Sequence, residues 1–293
     1  MKHIHFIINP VAGSGNYHIT YELLQKYFDS EQYSIVVKHS TYKRHAIQLS
    51  KESVAQNPDI IVACGGDGTI NEVASCMVGT NIILGIIATG SGNGLASNLN
   101  IPKNIVKSLL TIKQQSIKQI DVGKINDKYF FSNTGVGFDA RVIKRFEASN
   151  ERKLSSYLKA TLKTLNESVT DNVMDIDTHS LKMEVNPFMV FISNSNEMGY
   201  NMSLTPNASL QDGLLDVVII PKIGRLKFMW LGLLMFFKRL HIIKDIISFQ
   251  TENLKLYKKG KDTFQTQIDG EYYYLNVNTI DISILKKSLY VIS

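Results

Sequence analysis

Three glycine-rich stretches in the first third of the chain have the composition of anion-binding loops: Asn9 to Gly15 (NPVAGSG), Gly65 to Thr69 (GGDGT) and Thr89 to Gly94 (TGSGNG). Glycine lets backbone N–H groups approach phosphate oxygens closely, and a helix that follows such a turn adds its own N–H dipoles. Within the second stretch, Asp67 stands between Gly66 and Gly68. A carboxylate in an anion-binding loop is electrostatically unfavourable unless it holds Mg²⁺ or takes a proton, which is the chemistry of phosphoryl transfer. The structural alternative is an N-cap for a helix starting at Thr69. No G-x-x-x-x-G-K-[ST] occurs, the third loop is G-x-G-x-G rather than G-x-G-x-x-G, and protein-kinase signatures are absent.

The loops must be carried by strand ends. From residue 1 to about 122, β-rich runs (His3 to Asn9, Tyr33 to Lys38, Asp59 to Cys64, Ile82 to Ala88) alternate with helically spaced apolar residues. That alternation predicts an α/β domain with a parallel sheet, whose ligands bind beyond the C-terminal ends of the strands. Each glycine loop follows such a strand. From 123 to 293 the strands crowd together, starting with the Asn126-Asp127 turn, and predict an antiparallel β-sandwich. Helical patterns at Ala140 to Glu167 and Leu226 to Ile247 interrupt it. Two domains, 1–122 and 123–293, are expected in firm contact, with a cleft between them.

The composition is that of a globular protein: 293 residues, 44% hydrophobic and 20% charged. The longest uncharged apolar stretch, Phe228 to Phe237, falls far short of the roughly 20 residues of a spanning helix. Cys64 and Cys76 have no metal-ligand spacing, and with no signal-peptide pattern the expected compartment is the cytoplasm. Charge is uneven. Residues 222–261 hold ten of the 32 Lys and Arg against two of the 26 acids. Interleaved with Phe228, Trp230, Phe236 and Phe237, this basic run suits an anionic membrane surface better than nucleic acid; the alternative is a solvated face.

N-P-x-x-G-x-G, then GGDGT with Asn71-Glu72 close behind, then GSGN, resembles the diacylglycerol kinase catalytic fold shared by bacterial lipid kinases, sphingosine kinases and ceramide kinases. The stretch Asn194 to Val218, ending D-G-L-L-D-V, and Ile268-Asp269-Gly270-Glu271 extend the resemblance over nearly the whole chain. It implies ATP as phosphate donor, Mg²⁺ as cofactor, a lipid alcohol as substrate and a role in phospholipid biosynthesis. It also implies residue roles. Asn9, Gly13 and Gly15 lie along the nucleotide, with Thr41 and His45 near its sugar or phosphates. Gly65, Gly66, Gly68 and Thr69 cradle phosphates, Ser91, Gly92 and Asn93 flank the γ-phosphate, and Arg152 contacts phosphate. Asp67 and Glu271 are the catalytic pair, as base or Mg²⁺ partner. Asp212, Asp216 and the Leu215 carbonyl match a structural cation site, for which a tight Asp-Gly turn is the alternative.

One departure from the pattern is Gly94, which stands where bacterial diacylglycerol kinases usually have Asp. Asp139, in GVGFDA, falls where sphingosine kinases place an acid that reads the head group; it also suits a helix cap. These two features favour a sphingoid or other amino-alcohol lipid over diacylglycerol. The expected activity is an ATP-dependent lipid kinase, peripherally membrane-associated, with homodimerisation open. The alternatives are an NAD kinase, against which the apolar, basic Leu226 to Ile247 segment argues, and a non-catalytic lipid-binding regulatory protein.

Overall fold

The computed structural model describes residues 1–13, 19–149, 154–167, 172–198, 202–222, 224, 230–232, 234, 245–260 and 263–293. Gly15, Arg152 and most of the 225–244 segment, including Lys227, Phe236, Lys238, Arg239 and Lys244, lie outside the described residues. The chain forms two units, Met1–Val122 with Lys286–Ser293, and Gly123–Leu285.

The first unit is built on the parallel strands β1 (Lys2–Ile8), β2 (Tyr33–His39), β3 (Ile60–Gly65) and β4 (Ile83–Ala88), in the order β2-β1-β3-β4. Every residue of β3 is buried, as expected of a continuous apolar run covered on both faces. Among the described residues, helices follow the strands in turn: α1 (Tyr21–Tyr27), α2 (His45–Ala55), α3 (Asp67–Ser75) and, both after β4, α4 (Gly94–Asn98) and α5 (Ile105–Gln114). Local chemistry starts two of them. Thr20 accepts the Leu23 N–H at the head of α1, and Asn104 accepts the Lys107 N–H at the head of α5. Phe6, Phe28, Ile60, Val62, Leu109 and Ile112 fill one side of the sheet.

The last eight residues correct the expected boundary. Strand β16 (Thr279–Ile292) begins in the second unit, but its end pairs in parallel with β4, Tyr290 opposite Ile83, so Lys286–Ser293 belong to the first unit. The hydrogen-bond register that draws them back is a long-range property with no local pattern. Strand β5 (Ile117–Ile125) likewise begins in one unit and ends in the other.

The second unit contains a six-stranded antiparallel sheet in the order β12 (Ile247–Thr251), β11 (Leu215–Pro221), β10 (Pro187–Ser193), β7 (Asn133–Gly137), β14 (Phe264–Ile268), β15 (Glu271–Leu275). Facing residues come from β8 (Met174–Asp177), β13 (Asn253–Tyr257), which pairs with β8, and the start of β16. Val190, Ile192, Val217 and Phe264 meet Ile176, Leu256 and Ile282 in one apolar layer. The other face of the sheet, through Phe188, Phe191, Val218 and Ile220, packs on Phe138 and Val142 of α6 (Phe138–Ala148) and Ala160 of α7 (Leu154–Leu165). The 140–167 pattern is therefore two helices rather than one. Leu231 and Leu234 are buried in this second layer, while Trp230 is half exposed.

Candidate active site

In the first unit the three glycine loops are tied to one another by backbone and side chain. Asn9 follows β1; its N–H donates to the Cys64 carbonyl at 2.9 Å, and its Nδ2 donates to Thr69 Oγ1 at 3.0 Å. Its Oδ1 accepts the Val11 N–H at 3.2 Å, closing the first loop on itself. Asn9 thus joins the first loop to the second. The second loop meets the third where Gly66 and Gly90 pass so closely that a Cβ on Gly90 would stand 2.6 Å from the Gly66 Cα. A Cβ on Gly65 would meet Thr69 Cβ at 2.5 Å. These glycines are required by contact.

Asp67 closes the arrangement. The Asn93 N–H donates to its Oδ2 at 2.7 Å and the Gly94 N–H to its Oδ1 at 2.8 Å. Both donors stand at the head of α4, and Asn93 reaches this position through a left-handed backbone (φ 53°). Asn93 Nδ2 also donates to the Gly90 carbonyl at 2.6 Å, and a Cβ on Gly92 would lie 2.9 Å from Asp67 Oδ2. The carboxylate thus occupies amides that the sequence reading offered to phosphate. Asn93 is buried and serves the loop as scaffold. Asp67 opens α3, whose N-cap is Gly66 rather than Asp67 itself. Gly13, Gly68, Ser91 and Gly92 lie on the same three loops. At the end of β2, Thr41 and His45 come together: the Thr41 N–H donates to His45 Nδ1 at 3.1 Å.

In the second unit the D-G-E motif forms the turn between β14 and β15. Asp269 (φ 46°) and Gly270 (φ 80°) both have left-handed backbone, which an Asp-Gly pair accepts readily. Sequence reasoning left Asp269 without a role. Its carboxylate accepts three successive N–H groups, from Phe131 and Ser132 at 2.8 Å and Asn133 at 3.0 Å. Gln267, also missed, donates from Nε2 to Asn133 Oδ1 at 2.8 Å and accepts the Gly270 N–H at 2.9 Å. The turn presents Glu271, whose Oε2 accepts from Tyr273 Oη at 3.2 Å. The only local signal for this network was the Asp-Gly pair.

Asp139 lies in the first turn of α6, whose N-cap residue is Gly137. The carboxyl is buried against Gly135, where a Cβ would fall 2.1 Å from its Oδ2. Gln267 Nε2 reaches the same Oδ2 at 3.4 Å, and Oδ1 has no hydrogen-bond partner. Burial pushes the carboxyl up to about 7, against weaker opposing hydrogen bonds and the Arg141 charge. Below about pH 4 folded and unfolded chains are both protonated and ionisation contributes no cost. Between about pH 4 and 7 the unfolded chain ionises while the folded one keeps its proton, so the fold loses stability, by about 4 kcal/mol in all. Asn at this position carries no such cost. Asp139→Asn is therefore expected to gain stability over wild type as pH rises from 4 to 8, read from urea midpoints; a constant difference across that range overturns the assignment.

At the expected cation site, Asp212 Oδ1 accepts the Leu214 N–H at 3.0 Å in a turn through Gly213 (φ 73°). Asp216 Oδ2 accepts from Gln250 Nε2 at 3.2 Å. Burial pushes the Asp216 carboxyl up and the charge of Asp212 adds to it, while the Gln250 hydrogen bond opposes them. Leu215 stands next to Asp216 at the start of β11, and two carboxylates with a backbone carbonyl are the donor types that a hard cation takes. Among the described residues no group of three or more His, Cys, Asp or Glu is placed to hold a metal ion.

Glycine loops at the C-terminal edge of a parallel sheet, followed by a sandwich unit with a D-G-E turn, define a class of phosphotransferase. Residues 3–125 match the diacylglycerol kinase catalytic domain, and residues 132–285 match the YegS C-terminal NAD kinase beta sandwich-like domain. The chain belongs to the diacylglycerol kinase and YegS-like lipid kinase family. A diacylglycerol kinase of Bacillus subtilis (strain 168) is 29% identical over 282 residues, covering 93% of this chain and 90% of that protein. A diacylglycerol kinase of Staphylococcus saprophyticus is 28% identical over 177 residues, 58% of this chain and 57% of that one. The crystal structure of a diacylglycerol kinase from Bacillus anthracis str. Sterne shares the fold, with a TM-score of 0.73 at 20% identity, over 99% of this chain and 96% of that chain.

Proposed function

We propose that the protein transfers the γ-phosphate of ATP to the hydroxyl of a diacylglycerol-like lipid. The observation that carries this reading is the set of three glycine loops locked together through Asn9 and Asp67 at one edge of the parallel sheet. Backbone N–H groups of Gly13, Gly66, Gly68, Thr69, Ser91 and Gly92 are the phosphate donors in this scheme, and Thr41 with His45 holds the nucleoside. Asp67 is a positioning residue. Glu271 takes the proton of the lipid hydroxyl. Mg²⁺ bound with the nucleotide would supply neutralisation of phosphate charge, and Asp212, Asp216 and the Leu215 carbonyl are the groups that would hold a second cation at their turn.

For the head group, burial of the Asp139 carboxyl disfavours its charged form, which weakens the case for pairing with an ammonium and supports a neutral diacylglycerol-like head group over the sphingoid expected from sequence. Relatives named diacylglycerol kinase agree with that choice. The sandwich-domain match carries NAD kinase in its name, whereas the catalytic-domain match is to diacylglycerol kinases.

Reaching such a substrate requires contact with a bilayer. No helix among the described residues is long and apolar enough to cross one. Helix α7 is inverted relative to a core helix: Ser156, Ala160 and Thr164 are buried, while Leu154, Leu158 and Leu162 are exposed beside Lys159 and Lys163. That outward face, with the basic 222–261 segment, supports peripheral binding to anionic lipid.

The test measures transfer of labelled phosphate from ATP to diacylglycerol, monoacylglycerol, sphingosine, ceramide and NAD, the lipids presented in anionic or neutral vesicles. The expected result is labelling of diacylglycerol, faster on anionic vesicles and slowed by salt, with a loss of about 100-fold or more in Glu271→Gln. Labelling of NAD alone, or of nothing, overturns the reading. Equal rates on neutral and anionic vesicles overturn the membrane assignment.

A further inference from the structure

Tyr42 is fixed in place yet left open to solvent. Its ring stacks on His45 with centroids 4.3 Å apart and planes 9° from parallel. Its hydroxyl donates to Gln48 Oε1 at 3.1 Å, and Gln48 Nε2 in turn donates to Glu52 Oε1 at 3.0 Å, which orients the amide. His45 is held by the Thr41 N–H. Despite these restraints Tyr42 is 61% exposed, so it adds little to the core. An aromatic plane held on one side and free on the other is a stacking platform.

Its place in the sheet says what it stacks. Strands β1 and β2 are paired with Ile8 opposite His39, and the Ser40 N–H donates to the Ile8 carbonyl at 2.9 Å. Tyr42 lies three residues beyond His39 and Val11 three beyond Ile8, so both stand at the C-terminal edge of neighbouring strands. Val11 is 81% exposed, an apolar side chain on a loop otherwise suited to phosphate. Strand β2 is two strands from β3, roughly 10 Å from the loop that carries Asp67. A nucleoside triphosphate bridges that distance, with its phosphates on the glycine loops and its base at the end of β2.

We propose that the open face of Tyr42, backed by His45, is the surface on which the adenine of the phosphate donor stacks. The inference rests on the nucleotide reading above and adds the residue that holds the base. Stacking acts on the base and is indifferent to the phosphates, and this separates it from a role in loop stability.

The test is equilibrium binding of ADP and of inorganic tripolyphosphate, which has no base, to wild type, Tyr42→Ala and Tyr42→Phe, with folding checked by circular dichroism. Tyr42→Ala is expected to weaken ADP about tenfold or more and leave tripolyphosphate within about twofold, while Tyr42→Phe, which keeps the ring, stays near wild type. Unchanged ADP binding in Tyr42→Ala overturns the platform alone and leaves the nucleotide reading intact. So does an equal loss for both ligands, which would mark a structural effect. Failure of the wild type to bind ADP overturns the nucleotide reading and the platform together.

Discussion

Asp67→Asn is expected to lower turnover at least about 100-fold while the protein stays folded. In the native loop each carboxylate oxygen accepts one backbone N–H, at 2.7 and 2.8 Å. Asparagine has one acceptor to offer, and its NH₂ then faces the second N–H. One charge-assisted hydrogen bond is lost and a donor opposes a donor, at a cost of about 1–3 kcal/mol. A domain stable by about 5–15 kcal/mol survives this. The loop does not keep its geometry, because the donors at Asn93 and Gly94 head α4 and a misplacement of about 1 Å at a reacting group costs around 100-fold in rate. The measurement is steady-state transfer well below the melting temperature, with the urea midpoint taken alongside. Full turnover in the folded variant removes Asp67 from the mechanism.

The second large effect falls on stability. Asp269→Ala leaves three successive N–H groups, those of Phe131, Ser132 and Asn133, without their acceptor, and all three residues are buried. An unpaired buried N–H costs about 1–3 kcal/mol. Even with partial relaxation the loss is expected to reach about 3 kcal/mol, a large fraction of the whole. Activity should fall further than stability, because the same carboxylate holds the turn that presents Glu271. Asp269→Asn, which retains one acceptor, should lie between wild type and Asp269→Ala in urea unfolding. A loss below about 1 kcal/mol in Asp269→Ala shows that the amides find other partners and that the turn does not depend on Asp269.

Each of these carboxylates stands in a motif that is visible in the sequence, and each does something there that the motif did not state. Asp67 was conspicuous as an acid among glycines, which suggested a base or a Mg²⁺ partner. Its hydrogen bonds reach Asn93 and Gly94, residues 26 and 27 positions away, and make it first a brace between two loops. Asp139 read as a cap or a head-group acid. Burial against Gly135 also places it in the polar network around Gln267, which the motif did not state.

Much was determined by sequence alone. Apolar runs bounded by turn residues located β1 to β4 to within a residue or two, because a sheet covered on both faces needs continuous apolar side chains. Glycines marked the loops that follow β1, β3 and β4, because close backbone approach excludes a Cβ. Other features were decided only by tertiary structure. The segment NTGVG has no alternating apolar pattern and is not among the expected strands, yet it forms β7 inside the six-stranded sheet. Gly135 is needed there because the Asp139 carboxyl occupies the space of the missing side chain. Lys286–Ser293 follow the sandwich strands in sequence and pair with β4 in space. Asp269 finds its donors 136 to 138 residues away. Local periodicity records which face of an element is buried. It carries no information about which distant N–H a carboxylate will meet, because that pairing depends on strand register across the sheet and exists only once the chain has closed on itself.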